Sequence, residues 1–201
     1  MALGNSNSGG KQFVTIVQGK FTLRCPEGTD GATMRVLTKE GYEGKQVWEK
    51  YFDHIDGMLV GGELHEGKFG TDLCLNIKDD QVYTVQIPVN SVFFEQFAKC
   101  VPNIDPTNWL FLGTGFDKER DKHFLYIKQG KAHDVAVHSA YTKDNPNGLP
   151  QAVKKTVMGK TKWDFEAQKE FLYGNVVDFL GMIGEETASA VVPADEDAIP
   201  F

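Results

Sequence analysis

The chain has 201 residues, 41% hydrophobic and 24% charged, an ordinary globular balance that gives room for one domain with a sizeable core. No apolar run approaches the roughly 18 to 20 residues that span a bilayer, and residues 1–11 lack a signal-peptide core, which argues against a membrane-spanning helix and predicts a cytoplasmic protein. A net charge of −7 argues against broad phosphate binding, but Glu185, Glu186, Asp195, Glu196 and Asp197 all follow Gly184, and without those five the remainder carries only −2. Local patches therefore matter more than the total.

Residues 1–12 read as a flexible leader. From Phe13 the pattern alternates, with Phe13, Val17, Phe21 and Leu23 on one parity and Lys20, Thr22 and Arg24 on the other, predicting a strand with one face in a core. A turn over 26–31, a strand over 34–38 and a long strand over 46–64, bent or bulged near Gly57 or Gly61 and Gly62, follow. Residues 71–78 and 81–89 read as a hairpin around Asp79 and Asp80.

After Pro88, Asn90 or Ser91 is placed to cap a helix whose apolar face is Phe93, Phe94, Phe97, Ala98 and Val101, and Pro102 ends it. A second hairpin, 109–116 with 122–129, precedes a short strand within 132–140. Residues 141–162 are rich in Lys, Asn, Pro and Gly and read as a mobile loop. Asp164 then caps a last helix with Phe165, Leu172, Val176, Phe179 and Ile183 as its stripe. Beyond Gly184 the small and acidic residues read as disordered.

The predicted class is mostly β: an antiparallel barrel like the OB-fold over 13–140 with one inserted helix, a basic loop and C-terminal helix over 141–184, and an acidic tail over 185–201. Cys25, Cys74 and Cys100 are widely spaced, odd in number and form no CxxC, predicting reduced thiols and neither disulfides nor a zinc site.

Gripping a single strand without sequence preference needs aromatic faces for bases and cations for phosphates on one surface. Lys122, Phe124, Tyr126 and Lys128 share one parity, while His123, Leu125 and Ile127 suit a core. Trp48, Lys50 and Phe52 form a second stripe, and Lys20 and Arg24 add cations from the first strand. The alternative is that these rings are core and the lysines snorkel. Lys154, Lys155, Lys160 and Lys162, beside Trp163, form a basic loop able to close over a strand, or to receive the acidic tail when no DNA is bound.

The last seven residues combine Asp195, Glu196 and Asp197 with Ile199, Pro200 and Phe201. A terminal Phe offers a ring and a carboxylate to a partner's apolar, basic pocket, and the upstream acids speed encounter with a basic rim. This ending resembles the acidic tip of bacterial single-stranded DNA-binding proteins, which finish in an acidic run and Ile-Pro-Phe. The short linker and basic loop are closer to the phage-encoded type. The resemblance implies a non-enzymatic protein, without cofactor or metal, that coats and protects single-stranded DNA in replication, recombination and repair. It also implies recruitment of polymerase, helicase, nuclease or recombinase through the tip, in an infected bacterial cell, by a monomer or small homo-oligomer.

Two alternatives belong to other classes. A replisome adaptor that binds protein alone predicts Phe124 and Tyr126 buried. A metal-dependent nuclease would draw on Glu43 and Lys45 or Glu66 and Lys68 with Asp30, Asp53, Asp56 or Asp72, but lacks the βαβ context. No phosphate loop is present, Gly113-Thr114-Gly115 lacks the third glycine of a dinucleotide fingerprint, and Asp117, Glu119 and Asp121 lack the glycine and terminal Glu of a calcium loop. His133 and His138 are expected on opposite faces of a strand, unsuited to one metal.

Overall fold

The computed structural model describes residues 12–38, 42–68, 70–157 and 160–189; residues 1–11 of the leader and residues 190–201, which include the tip, lie outside them. Within these bounds the protein is mostly β, with a large sheet and two helices.

Strands β1 (Gln12–Val17) and β2 (Lys20–Cys25) are joined by Gln18 and Gly19, both at positive φ (50° and 71°), the tight turn whose twist matches a hairpin. The single strand expected from Phe13 to Arg24 is therefore two strands, and the turn exchanges their parity. Val14 is buried whereas Phe13 is exposed, and Phe21 and Leu23 are buried after the turn. Thr22, expected in water, is also buried.

Strands β3 (Thr33–Val36), β4 (Gln46–Phe52), β5 (His54–Gly67), β6 (Gly70–Lys78) and β7 (Val82–Pro88) follow. The long strand expected over 46–64 is interrupted at Asp53, which separates β4 from β5, and its register shifts between Leu59 and Gly61. Helix α1 (Val92–Cys100) starts at Ser91, whose Oγ accepts a hydrogen bond from the Phe94 N–H at 3.1 Å. Pro102 lies in a short 3-10 turn, Val101–Asn103, where its missing N–H costs no helical bond. Strands β8 (Trp109–Asp117), β9 (Lys122–Gln129) and β10 (Val135–Val137) complete the large sheet.

The loop expected over 141–162 instead contributes to a separate two-stranded sheet, β11 (Val153–Val157) with β12 (Lys160–Asp164). Its β-branched Val153, Thr156, Val157 and Thr161 favour strands, and their signal is masked in sequence by the interleaved lysines. Asp164 accepts from the Glu166 N–H at 2.9 Å where α2 (Glu166–Ser189) begins. Leu172, Val176, Phe179 and Ile183 are buried along α2, but Phe165 precedes the helix and is exposed. The helix runs past Gly184, where a disordered tail was expected to start, as far as Ser189.

The large sheet runs β10-β9-β8-β5-β6-β7-β1-β2-β4-β3. One ladder, β1 with β7, is parallel, which corrects the all-antiparallel expectation; the long connection between them imposes no hairpin geometry. From β5 the pairings pass through β6, β7, β1 and β2 to β4, which only Asp53 separates from β5 along the chain. The turn between β1 and β2 also reaches β8: Thr114 donates from its hydroxyl to the Gly19 carbonyl at 2.6 Å and from its N–H to the Asp53 carbonyl at 3.0 Å.

Residues opposite one another in a ladder share a face. One face therefore gathers Val14, Phe21, Leu73, Leu75, Ile77, Val85, Ile87, Leu110, Leu112, Leu125 and Ile127, all buried. Both helices contribute to the same core, Phe97 of α1 meeting Phe179 of α2 edge-on at 6.2 Å. Each fully buried large apolar side chain contributes about 1.5–3 kcal/mol. The Leu125 N–H donates to Gln96 Oε1 at 2.7 Å, fixing α1 to β9 and leaving that strand's other face clear of the helix.

Candidate nucleic-acid interface

The alternation of β9 decides the site. Leu125 and Ile127 are buried and His123 lies half-buried beside Gly19, so Lys122, Phe124, Tyr126 and Lys128 occupy the face opposite the core. Their partners across the ladder are Asp117, Gly115, Gly113 and Phe111. The two glycines explain how the rings lie. A Cβ on Gly113 would come within 2.3 Å of the Tyr126 ring, and one on Gly115 within 2.4 Å of the Phe124 ring. Each aromatic ring is laid across a bare backbone, an arrangement that also braces the glycine position.

The rings continue beyond β9. Phe124 lies 6.2 Å from Tyr126, and Tyr126 lies 5.8 Å from Phe111. Phe111 meets His133 at 4.6 Å and is stacked by His54 of β5 at 4.8 Å and 19°. Trp109 sits two residues before Phe111 on the same face and donates from Nε1 to Asp56 Oδ2 at 2.9 Å. His133 Nε2 lies 3.1 Å from that same oxygen. Lys128 Nζ stands 5.8 Å above the Phe111 ring and Lys131 Nζ 5.6 Å above Trp109, within cation–π range.

The four residues expected on β9 share one face, and beside them lie His54, Asp56, Trp109, Phe111, Lys131 and His133, which the sequence did not place there. A signal was present: Trp109, Phe111, Gly113 and Gly115 alternate on one parity, two large rings and then two gaps for rings from the neighbouring strand. His133 does not occupy a strand facing away from His138. It precedes β10 at φ 53°, and that turn brings it onto Phe111.

The second predicted stripe falls on a different face. Trp48, Lys50 and Phe52 pair with Cys25, Leu23 and Phe21, so they point to the core side of the ladder, with Phe52 exposed at the strand end. They do not join the platform on β8 and β9, because the parity of β4 is set by the buried Phe21 and Leu23 opposite it. The reverse side of β4 carries Glu49, 1% exposed, held by Arg35 Nε at 2.7 Å and Nη2 at 2.8 Å and by the Tyr51 hydroxyl at 2.9 Å.

The Arg35 hydrogen bonds hold the Glu49 carboxyl below its ordinary range against the opposing effect of burial, and raise the Arg35 guanidinium in turn. Burial, then Glu49, raises the Tyr51 hydroxyl. Of the two cations predicted on β2, Arg24 lies 3.8 Å from Glu49, and Lys20 pairs with Asp53, whose carboxyl is lowered by that bond. Among the described residues Lys122 and Lys128 make no ion pair.

In the small hairpin, Lys154 lies opposite Trp163, its Nζ 5.0 Å above an exposed ring, and Lys155 opposite Lys162. Lys155 pairs with Asp164, which lowers that carboxyl and raises the ammonium. Lys160 pairs with Val157 at the hairpin end. The partner-binding residues Asp195, Glu196, Asp197, Ile199, Pro200 and Phe201 lie outside the described residues.

The structure also bears on the alternative classes. Phe124 is 37% exposed and Tyr126 half-buried, unlike the buried pair an adaptor that binds protein alone requires. Of the nuclease carboxylates, Asp53 is tied to Lys20, and Asp56 to Trp109 and His133. Among the described residues no group of three or more His, Cys, Asp or Glu side chains is gathered as a metal site. No protein-family model, curated protein or solved structure gives a match to this chain.

Proposed function

We propose that the protein binds single-stranded DNA without sequence preference along the face of β9, β8 and β5, and that it does no chemistry there. The observation that carries this reading is the row Phe124, Tyr126, Phe111 and His54, two of its rings laid over Gly113 and Gly115, with Lys122 and Lys128, which make no ion pair among the described residues, on the same strand. The faces of exposed Phe124 and His54 and half-buried Tyr126 accept any base, at about 1–3 kcal/mol each, with Phe111, 7% exposed, packed between His54 and Tyr126, and lysines release counterions.

The ladder that leads from β5 round to β4 supports reading the core as a small barrel of the OB type, a fold that presents oligonucleotide sites on its strands. The hairpin β11–β12, with Lys154, Lys160, Lys162 and exposed Trp163, is a second basic and aromatic surface suited to closing over a bound strand. The sequence of residues 195–201 supports assigning the protein to the phage-type single-stranded DNA-binding class, with its tip recruiting replication and recombination proteins in the cytoplasm of an infected cell.

The test is fluorescence anisotropy of labelled oligo-dT with the full chain across a salt series. Binding that weakens steadily with salt is the expected result, and removal of residues 190–201 is expected to strengthen it by taking away competing carboxylates. Absence of binding at low salt overturns the reading.

A further inference from the structure

A cavity of about 250 Å³ opens beside the aromatic row, at the point where Asp53 separates β4 from β5. Its floor is apolar, Val14, Phe21 and Ile55, and the rings of Phe52 and Tyr83 stand at its sides. Three carboxylates line it: Asp56 from β5, and Asp79 and Asp80 from the exposed turn between β6 and β7. Two lining residues belong equally to the platform. His54 is stacked on Phe111, and Asp56 takes the bonds of Trp109 and His133 through Oδ2. A strand lying along the rings therefore passes the mouth of this cavity.

Building on the proposed function, we infer that the cavity is a pocket for one unstacked base of the bound strand, and that this single position favours cytosine over thymine in a strand whose other bases are held without sequence preference. Its volume falls below the roughly 300–1,000 Å³ of clefts for drug-sized ligands and suits a single ring. Its apolar floor and aromatic sides match the faces of a base, the manner in which unstacked bases of single strands are held. The carboxylates set its choice. Ionised carboxylates only accept hydrogen bonds, so they match the N4 amino donor of cytosine and oppose the O4 acceptor of thymine. Their negative charge also repels phosphate, which keeps the backbone on the lysine side while the base enters. The Oδ1 oxygen of Asp56 makes no hydrogen bond among the described residues, and Asp79 holds no side-chain partner there.

The experiment compares three labelled oligo-dT strands on the full-length protein: unmodified, with one internal cytosine, and with one N4,N4-dimethylcytosine at the same place. The cytosine strand is expected to bind about tenfold tighter than the other two, the effect of one added bond to a charged acceptor. The combined variant Asp79→Asn and Asp80→Asn is expected to bring the cytosine and unmodified strands to equal affinity, since an amide donor no longer opposes the O4 acceptor of thymine. Equal affinity for the three strands, with oligo-dT still bound, overturns the pocket and leaves the platform standing. Failure of all three to bind overturns the platform, and the pocket with it.

Discussion

Two regions of the one sheet carry similar residues and partner their charges differently. On β8 and β9, Lys122 and Lys128 share a face with the rings of Phe124, Tyr126 and Phe111, and neither lysine has a carboxylate partner among the described residues. On β2, β4 and β3, Arg24 and Arg35 converge on buried Glu49, and Lys20 on Asp53. A cation already held by a carboxylate has little left to offer a phosphate. The comparison teaches that the partner of a charge, more than the charge itself, separates the proposed binding face from a supporting one.

The largest effect is expected on the supporting side. Arg35→Ala leaves Glu49 buried without its two-pronged partner, which is expected to lower unfolding free energy by about 3 kcal/mol, read by urea denaturation, with oligo-dT affinity of the folded protein unchanged. The same contact sets an acid limit. Because Arg35 holds the folded carboxyl of Glu49 below its unfolded value, its stabilisation is complete above the ordinary carboxylate pKa of about 4.3. It fades as pH falls through the lower folded value. Denaturation curves of the native protein should lose stability between neutral pH and pH 3 more steeply than those of Arg35→Ala.

On the binding side, Phe124→Ala and Tyr126→Ala are each expected to cost about 1–3 kcal/mol in oligo-dT affinity, with a small change in Tm because both rings lie outside the main core. An equal loss from Trp48→Ala would break the comparison, since Trp48 faces the core side of its ladder. Gly115→Val tests the platform from beneath. Its side chain must displace the Phe124 ring, and about 1 kcal/mol of affinity is expected to go with that stack, while Phe124 itself remains in the chain.

How much of this was legible in sequence follows from period and partner. The parity of β9 was readable because aliphatics alternate with aromatics and lysines without interruption. The start of α1 was readable because Ser91 precedes an apolar face of helical period. The turn at Gln18 and Gly19 was hidden, since hydrophobic alternation runs through it and only the positive φ of both residues reveals that the chain reverses. Trp48 and Phe52 have the same local pattern as Phe124 and Tyr126. Their different fate is set by Phe21 and Leu23 across the ladder, a long-range fact. His54 and His133 come to Phe111 from residues 57 and 22 positions away in the chain, which no local pattern encodes.

The smallest and most discriminating difference lies between two lysines. Each phosphate neutralised on a single strand adds about 0.7 to the slope of log affinity against log salt. Lys128 stands free above the Phe111 ring, so Lys128→Ala should lower that slope by about 0.7, and the loss should be greatest at low salt. Lys20 is tied to Asp53 beside Gly19, so Lys20→Ala removes a charge already matched and should leave the slope unchanged. Asp53→Asn offers the reverse case: it frees Lys20, and a slope increased by a similar amount would show that pairing alone had kept this cation from the strand. A slope unmoved in Asp53→Asn would instead put Lys20 off the DNA path, making geometry and not charge the boundary between the two regions.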